Sequence, residues 1–433
     1  MEAYRKIKKQ KPNQILYYTI PYLILILLSI KTFSSRYITF GFVMLFLIVF
    51  ALAEKKIIIG RKYAYFIWFI MGYGFLGILY GDLNQIVKNI CMIILSFAPF
   101  FIYDWMFSDS RKDRRLQNSK LIIKVMTPVL IYTVFVTLYY LNSNPYVARN
   151  MANYDPSIST NINLPLAIGG GYVLIYGIIF LPPVLLYLAK NICEKLLSKI
   201  LLLLIALFLL YFIVKSGFAT AFIISFAGSL LAVMLTQKQK TFNRVFLTSI
   251  ILITSIIFLN IEIFSEVISS IIRMLPENSI ITIRLNEIIP TLYGNISDST
   301  SFSRRLNNLD MTIDSFLGNP ILGIGYKVGF DYSAISLITG QHTEWLDNLS
   351  QYGLFLGVPY LLYFATSFRG VIRQFKSTNL EVIMSITILM MILLGFLNPI
   401  LTSSAFLVTM LYIPCLLIIF SENRENDTGL KEN

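Results

Sequence analysis

The chain has 433 residues, 56% of them hydrophobic and only 14% charged, with a net charge of +13. A water-soluble protein of this length needs more charge on its surface, so the composition excludes the soluble globular class and makes a bilayer the natural solvent. The positive balance reads as basic residues kept on the cytoplasmic face of a membrane protein, not as a nucleic-acid footprint. Cys91, Cys193 and Cys415 lie in or beside apolar runs and give neither a disulfide framework nor a Cys/His zinc spacing.

A helix needs about 20 apolar residues to cross the hydrocarbon, and in lipid its internal backbone pairing makes it the element of choice. Twelve spans are predicted, in chain order: Ile15–Ile30, Tyr37–Ala53, Tyr63–Tyr80, Ile86–Tyr103, Leu121–Leu141, Leu166–Leu188, Ile200–Val214, Phe218–Leu235, Val245–Ile261, Gly353–Ser367, Leu380–Leu397 and Leu401–Phe420. The first follows a basic tail, lacks a small-residue cleavage site and reads as an uncleaved anchor. With the N-terminus in the cytoplasm, 25 of the 36 Lys and Arg fall inside, nine fall outside, and Lys88 and Lys124 fall within spans. That asymmetry predicts cytoplasmic N- and C-termini. The expected class is an all-α integral membrane protein. Residues 1–261 carry nine spans and an outside loop at 142–165. A large helical extracytoplasmic loop occupies 262–352, three more spans lie in 353–420, and 421–433 form a cytoplasmic tail. Neither a solenoid repeat nor an inverted repeat is visible.

The large loop has its own pattern. Val267, Ile268, Ile271, Ile272 and Leu275 recur at helical spacing after Phe264 and predict an amphipathic helix ended by Pro276. A second helix is predicted from about Ser303 to Gly318. Leu306, Leu309, Ile313 and Phe316 form its apolar stripe, Asn307, Asp310 and Asp314 face away, and Gly318-Asn319-Pro320 stops it. A third starts near His342 and runs into the tenth span, with His342, Trp345, Leu346 and Leu349 on one face.

Arg305, preceded by Arg304, shares the helical wheel with Asn308 and Thr312. Its guanidinium suits either a phosphate clamp or a place among lipid headgroups. His342 is the sole histidine; it suits a proton acceptor near neutral pH or a packed imidazole with a satisfied hydrogen bond. Glu344, two residues on, reads as a structural or solvated acid. The Gly323-Ile324-Gly325 pair is too short for a phosphate signature and serves a tight turn equally well. Lys215 in "VKSGF" and Arg149 in "YVARNMANY" are outside cations that face headgroups, solvent or a cavity. Lys124 is expected to snorkel, because a charge at a span centre costs about 2.5–3.5 kcal/mol on insertion scales.

Together, "SRRLNNLDMTIDSFLGNPILGIGY" and "HTEWLDNLSQYGLFLG" resemble the O-antigen ligase and polysaccharide polymerase superfamily of bacterial membranes. The shared pattern is an arginine that opens a helix, an Asn-Pro-x-x-Gly-x-Gly turn fifteen residues later, and a histidine-led helix closing on Gly353 and Gly357. Thr343 stands where the family often has Asn. Lys215-Ser216-Gly217 stands where many relatives carry Ser-Arg. The resemblance implies a GT-C-like, metal-independent, inverting glycosyltransferase without a cofactor, in the bacterial plasma membrane. Its substrate would be undecaprenyl-diphosphate-linked oligosaccharide, polymerised into capsular or O-antigen-type polysaccharide at the outer face. Arg305 would stabilise the leaving diphosphate and His342 would take the acceptor proton. Arg304, Arg149, Lys215 and Glu344 would complete the substrate-binding set. Membrane lipid and a chain-length regulator are the implied partners, with no nucleic acid. Two alternatives stay open: a ligase that moves a finished glycan to another acceptor, and a flippase for the lipid-linked repeat. The long outside loop speaks against transport, whose sites sit near the bilayer midplane.

Overall fold

The computed structural model describes residues 19–25, 36–53, 60–108, 112–143, 172–235, 265–266, 269–270, 272–274, 282–283, 286, 301–331, 334–335, 338–340, 342–376, 378–401 and 404–428. Among them every regular element is helical. After a helical stretch at 19–25 come α1 (Arg36–Ala53), α2 (Arg61–Tyr80), α3 (Leu83–Ser108) and α4 (Lys112–Ser143). Next are α5 (Tyr172–Ile178), α6 (Leu181–Asn191), α7 (Leu196–Lys215), α8 (Ala219–Met234) and α9 (Ser301–Gly318). A 3-10 turn at Gly325–Val328 precedes α10 (Glu344–Gln374) and α11 (Glu381–Leu397). Ala405–Leu407 then passes through a π-helical turn at Val408–Tyr412 into α12 (Ile413–Thr428).

Among the described residues seven helices are long and apolar enough to cross a membrane, and α1, α8 and α11 are apolar but shorter. These ten match predicted spans two to eight and ten to twelve; α5 and α6 together form the sixth. Of the remaining two, Val245–Ile261 lies outside the described residues, and only 19–25 of Ile15–Ile30 is described. Of the loop helix expected after Phe264, residues 265–266, 269–270 and 272–273 are described and helical, while nearly all of the outside loop at 142–165 falls outside the described residues.

The helices are two-faced in a way only lipid permits. On α2, Trp68, Met71, Phe75 and Ile78 are 54–69% exposed, while Phe66, Phe69 and Tyr73 on the other side are buried. A continuous apolar face of that kind would aggregate in water. The buried faces meet in an aromatic core. Phe66 packs on Phe97 at 5.3 Å between ring centroids, Phe97 on Phe364 at 5.2 Å, and both Phe100 and Phe364 on Phe406, at 4.9 and 5.2 Å.

Bonds between helices join ends that alternating spans would put on one side. On one side Lys62 pairs with Asp104 at 2.7 Å, Thr127 Oγ1 bonds the Tyr412 hydroxyl at 3.0 Å, and Tyr187 donates to the Asn379 carbonyl. On the other, Asn89 Nδ2 donates to the Phe330 carbonyl at 3.1 Å and Trp345 Nε1 to that of Ile392 at 2.9 Å. Lys190 at the end of α6 also donates to the Val233 carbonyl at the end of α8. The loop that carries Asn319 to Phe330 and the start of α10 therefore share one end of the bundle.

Candidate functional site

The Asn319–Gly325 turn and α10 are clasped backbone to backbone. α10 contains a break at Gly353 (φ 61°, ψ −171°). Beyond it, the N–H groups of Leu354 and Phe355 turn to the carbonyls of Pro320 (2.8 Å) and Ile321 (2.9 Å), and Ile324 N–H donates to the Ser350 carbonyl (2.9 Å). The approach is so close that a Cβ on Gly323 would stand 2.3 Å from the Gln351 carbonyl oxygen, and one on Gly353 2.3 Å from the Gly323 nitrogen. The Gly-x-Gly pair thus serves the clasp, with Gly323 itself at φ +73°.

α9 begins and ends close to its predicted limits, and Asn307, Asp310 and Asp314 are exposed as expected. The apolar stripe is only partly covered: Leu309 and Phe316 are half-buried and Ile313 is 42% exposed, whereas Thr312 is 2% exposed. The helix docks through polar side chains onto residues 338–340, where a helical stretch ends. Ser315 Oγ donates to the Ile338 carbonyl (2.9 Å), Gly340 N–H donates to Thr312 Oγ1 (3.1 Å), and Asn308 Nδ2 donates to the Gly340 carbonyl (3.3 Å). Peptide groups at the end of a helix lack intrahelical partners, and the polar side of α9 supplies them. The direction of this docking matters. Ile338 meets position 315 and Gly340 meets positions 312 and 308, so the segment runs along α9 toward its N-terminal turns, where Arg304 and Arg305 lie in helical backbone.

His342 does not share the expected helical face with Trp345, Leu346 and Leu349. Thr343 caps α10 instead, its Oγ1 accepting the Asp347 N–H at 3.1 Å. His342 stands one residue ahead of that cap with an exposed side chain. Asp347 completes the cap reciprocally, its Oδ2 accepting the Thr343 N–H at 2.6 Å. Its other oxygen, Oδ1, lies 2.7 Å from Thr312 Oγ1 of α9. The charge of His342 acts on this carboxyl. Sequence reading missed Asp347. The sequence carries no capping-box signal for it, because Asp347 follows Thr343 by four residues where the box has Glu or Gln at three.

Glu344 is 3% exposed and fully engaged. Its Oε1 accepts from the Tyr360 hydroxyl (2.5 Å) and Asn348 Nδ2 (2.9 Å), and its Oε2 from the N–H groups of Ile400 (2.8 Å) and Leu401 (2.9 Å). The carboxylate ties the start of α10 to the chain leaving α11. Trp345 reinforces the tie: a Cβ on Gly395 would lie 2.4 Å from its indole. Glu344→Ala is expected to leave four donors unpaired, at about 1–3 kcal/mol for each that stays dry. Thermal unfolding in detergent should show it as one of the most destabilising single changes, with Glu344→Gln intermediate.

Of the remaining cations expected at the site, the side chain of Lys215 is described. Lys215 ends α7, exposed, with its ammonium 5.9 Å from the Tyr211 ring centroid. Beside it Ser216 is buried and donates to the Ile213 carbonyl at 2.6 Å. Among the described residues no hydrogen bond or ion pair joins Lys215 to α9 or to residues 340–347. Arg149 and the side chains of Arg304 and Arg305 lie outside what is described. Among the described residues no group of three His, Cys, Asp or Glu side chains is placed to hold a metal ion.

A family model described as O-antigen ligase matches residues 200–361. The matched stretch contains α8, α9, the Asn319–Gly325 turn, His342 and the Gly353 break. No curated protein and no solved structure matches the chain. Residues 200–361 are thus similar to the O-antigen ligase family.

Proposed function

We propose that the chain is a twelve-span, GT-C-like glycosyltransferase of the bacterial plasma membrane, with both termini cytoplasmic. It polymerises polyprenyl-diphosphate-linked oligosaccharide repeats into capsular or O-antigen-type polysaccharide at the outer face. The observation that carries this is the register of α9 on residues 338–340, which runs toward Arg305 just as the chain reaches His342. That register supports reading Arg305 and His342, 37 positions apart in the chain, as parts of one site.

The chemistry is a single displacement. The acceptor hydroxyl attacks the anomeric carbon of the donor and its proton passes to a nitrogen of His342. The new C–O bond forms as the bond to the diphosphate breaks, and the leaving diphosphate keeps the electron pair. Arg305 stabilises that developing charge through two parallel N–H···O bonds, which need a guanidinium fork. Arg304, Arg149 and Lys215 add positive field along the path of the diphosphate. Glu344 serves this site by holding the start of α10. A chain-length regulator is the expected protein partner.

The matched family's description keeps ligation of a finished glycan as the second reading. Product length separates the two. Purified protein in liposomes, given a synthetic undecaprenyl-diphosphate repeat unit alone, should yield a ladder of multiples and release undecaprenyl diphosphate. Transfer only when a separate acceptor is added would overturn the polymerase reading in favour of a ligase.

A further inference from the structure

We propose that Asp347 is a positioning residue for His342, holding the histidine turn on the arginine-bearing helix and setting how firmly the imidazole keeps a proton; this rests on reading His342 as the proton acceptor. Capping alone does not account for its contacts. The reciprocal cap, Thr343 Oγ1 on the Asp347 N–H at 3.1 Å and Asp347 Oδ2 on the Thr343 N–H at 2.6 Å, fixes the backbone directly after His342. Beyond the cap, Asp347 Oδ1 meets Thr312 Oγ1 at 2.7 Å, the same hydroxyl that accepts from Gly340 N–H. His342 is therefore bracketed on both sides, by Gly340 and Thr343, through one Thr312–Asp347 link to α9.

The surrounding charges leave the role to Asp347. On its own helix Glu344 is committed to Tyr360, Asn348 and the 400–401 backbone. On α9, Asp310 and Asp314 are exposed, and Arg304 and Arg305 belong to the N-terminal turns. His342 is the titratable group on the turn itself, and the Asp347 carboxylate is held to that turn through the Thr343 N–H at 2.6 Å. A carboxylate so placed favours the imidazolium. Acceptor deprotonation then delivers the proton to an imidazole whose positive form is already stabilised.

Three variants test this in the liposome assay: Asp347→Asn, which keeps an acceptor oxygen, Asp347→Ala, and Thr312→Val. Turnover of Asp347→Asn should fall about 10–100-fold, a usual cost of losing an outer-shell partner, with KM little changed. The acidic limb of its pH–kcat profile should move to lower pH, because the imidazole loses a stabilising negative charge. In Asp347→Ala the Thr343 amide should exchange hydrogen faster than in the parent, and Thr312→Val should do the same at Gly340. An Asp347→Asn enzyme with the parent's profile would overturn the proposal, and so would unchanged amide exchange in Asp347→Ala. If instead His342→Ala retained full turnover, the assignment of His342 itself would fail. The exchange data would still report whether Asp347 holds the turn.

Discussion

Gly353→Ala is expected to abolish recovery of well-folded protein, whereas Gly370→Ala should leave it untouched. Gly353 combines a positive φ with an extended ψ, a region open essentially to glycine alone, and strain there costs about 1–3 kcal/mol. The added Cβ would also lie 2.3 Å from the Gly323 nitrogen and from the Ile321 carbonyl oxygen. Neither atom can retreat, because both belong to backbone clasped by the bonds from Leu354 and Phe355. Around Gly370 nothing lies within 4 Å of the corresponding position, so alanine there should be neutral or stabilise its helix by about 0.5–1 kcal/mol. Gly323→Ala should match Gly353→Ala, since its Cβ would meet the Gln351 oxygen and the Gly353 nitrogen. Size-exclusion profiles and melting temperatures in detergent check all three.

Arg305→Lys and His342→Ala should each remove most of the polymer-forming activity while leaving the fold intact. Lysine keeps the charge of arginine but presents a point donor in place of a planar fork. Loss of a preorganised donor to a developing oxyanion costs about 10²–10³ in kcat. Loss of a general base costs about 10²–10⁴. His342 is exposed and lies ahead of the Thr343 cap, so its removal should not lower the melting temperature. The double variant should be little worse than the poorer single one, because groups that serve one transition state are strongly non-additive. Initial rates from a synthetic lipid-linked repeat, with melting temperatures as a control, give the answer.

The membrane spans were legible because hydropathy alone sets them, and ten of the twelve predicted ones coincide with apolar helices. The limits of α9 were legible from Gly318-Asn319-Pro320. Its packed face was legible only in part. Periodicity assigns the buried side to apolar residues, but here the partner is the backbone where a helical stretch ends, and its peptide groups demand Asn308, Thr312 and Ser315. His342 was placed on a helix that starts two residues later, since Thr343 takes the cap. Glu344 was legible as a structural acid, but its four donors come from elements up to 57 positions away and leave no local mark. Gly323 and Gly353 could each be read as a turn. That they face one another across thirty residues becomes visible only in three dimensions.

The most direct test of the central claim, that Arg305 and His342 serve one site at the rim of the bundle, is a distance. In a variant with Cys91, Cys193 and Cys415 replaced, the pair Arg305→Cys and His342→Cys should be bridged in native membranes by a short bifunctional maleimide. The pair Ser315→Cys and Ile338→Cys, whose parents are hydrogen-bonded at 2.9 Å, serves as the positive control. Efficient bridging of both pairs is the predicted result. A bridged control with no 305–342 product would contradict a shared site.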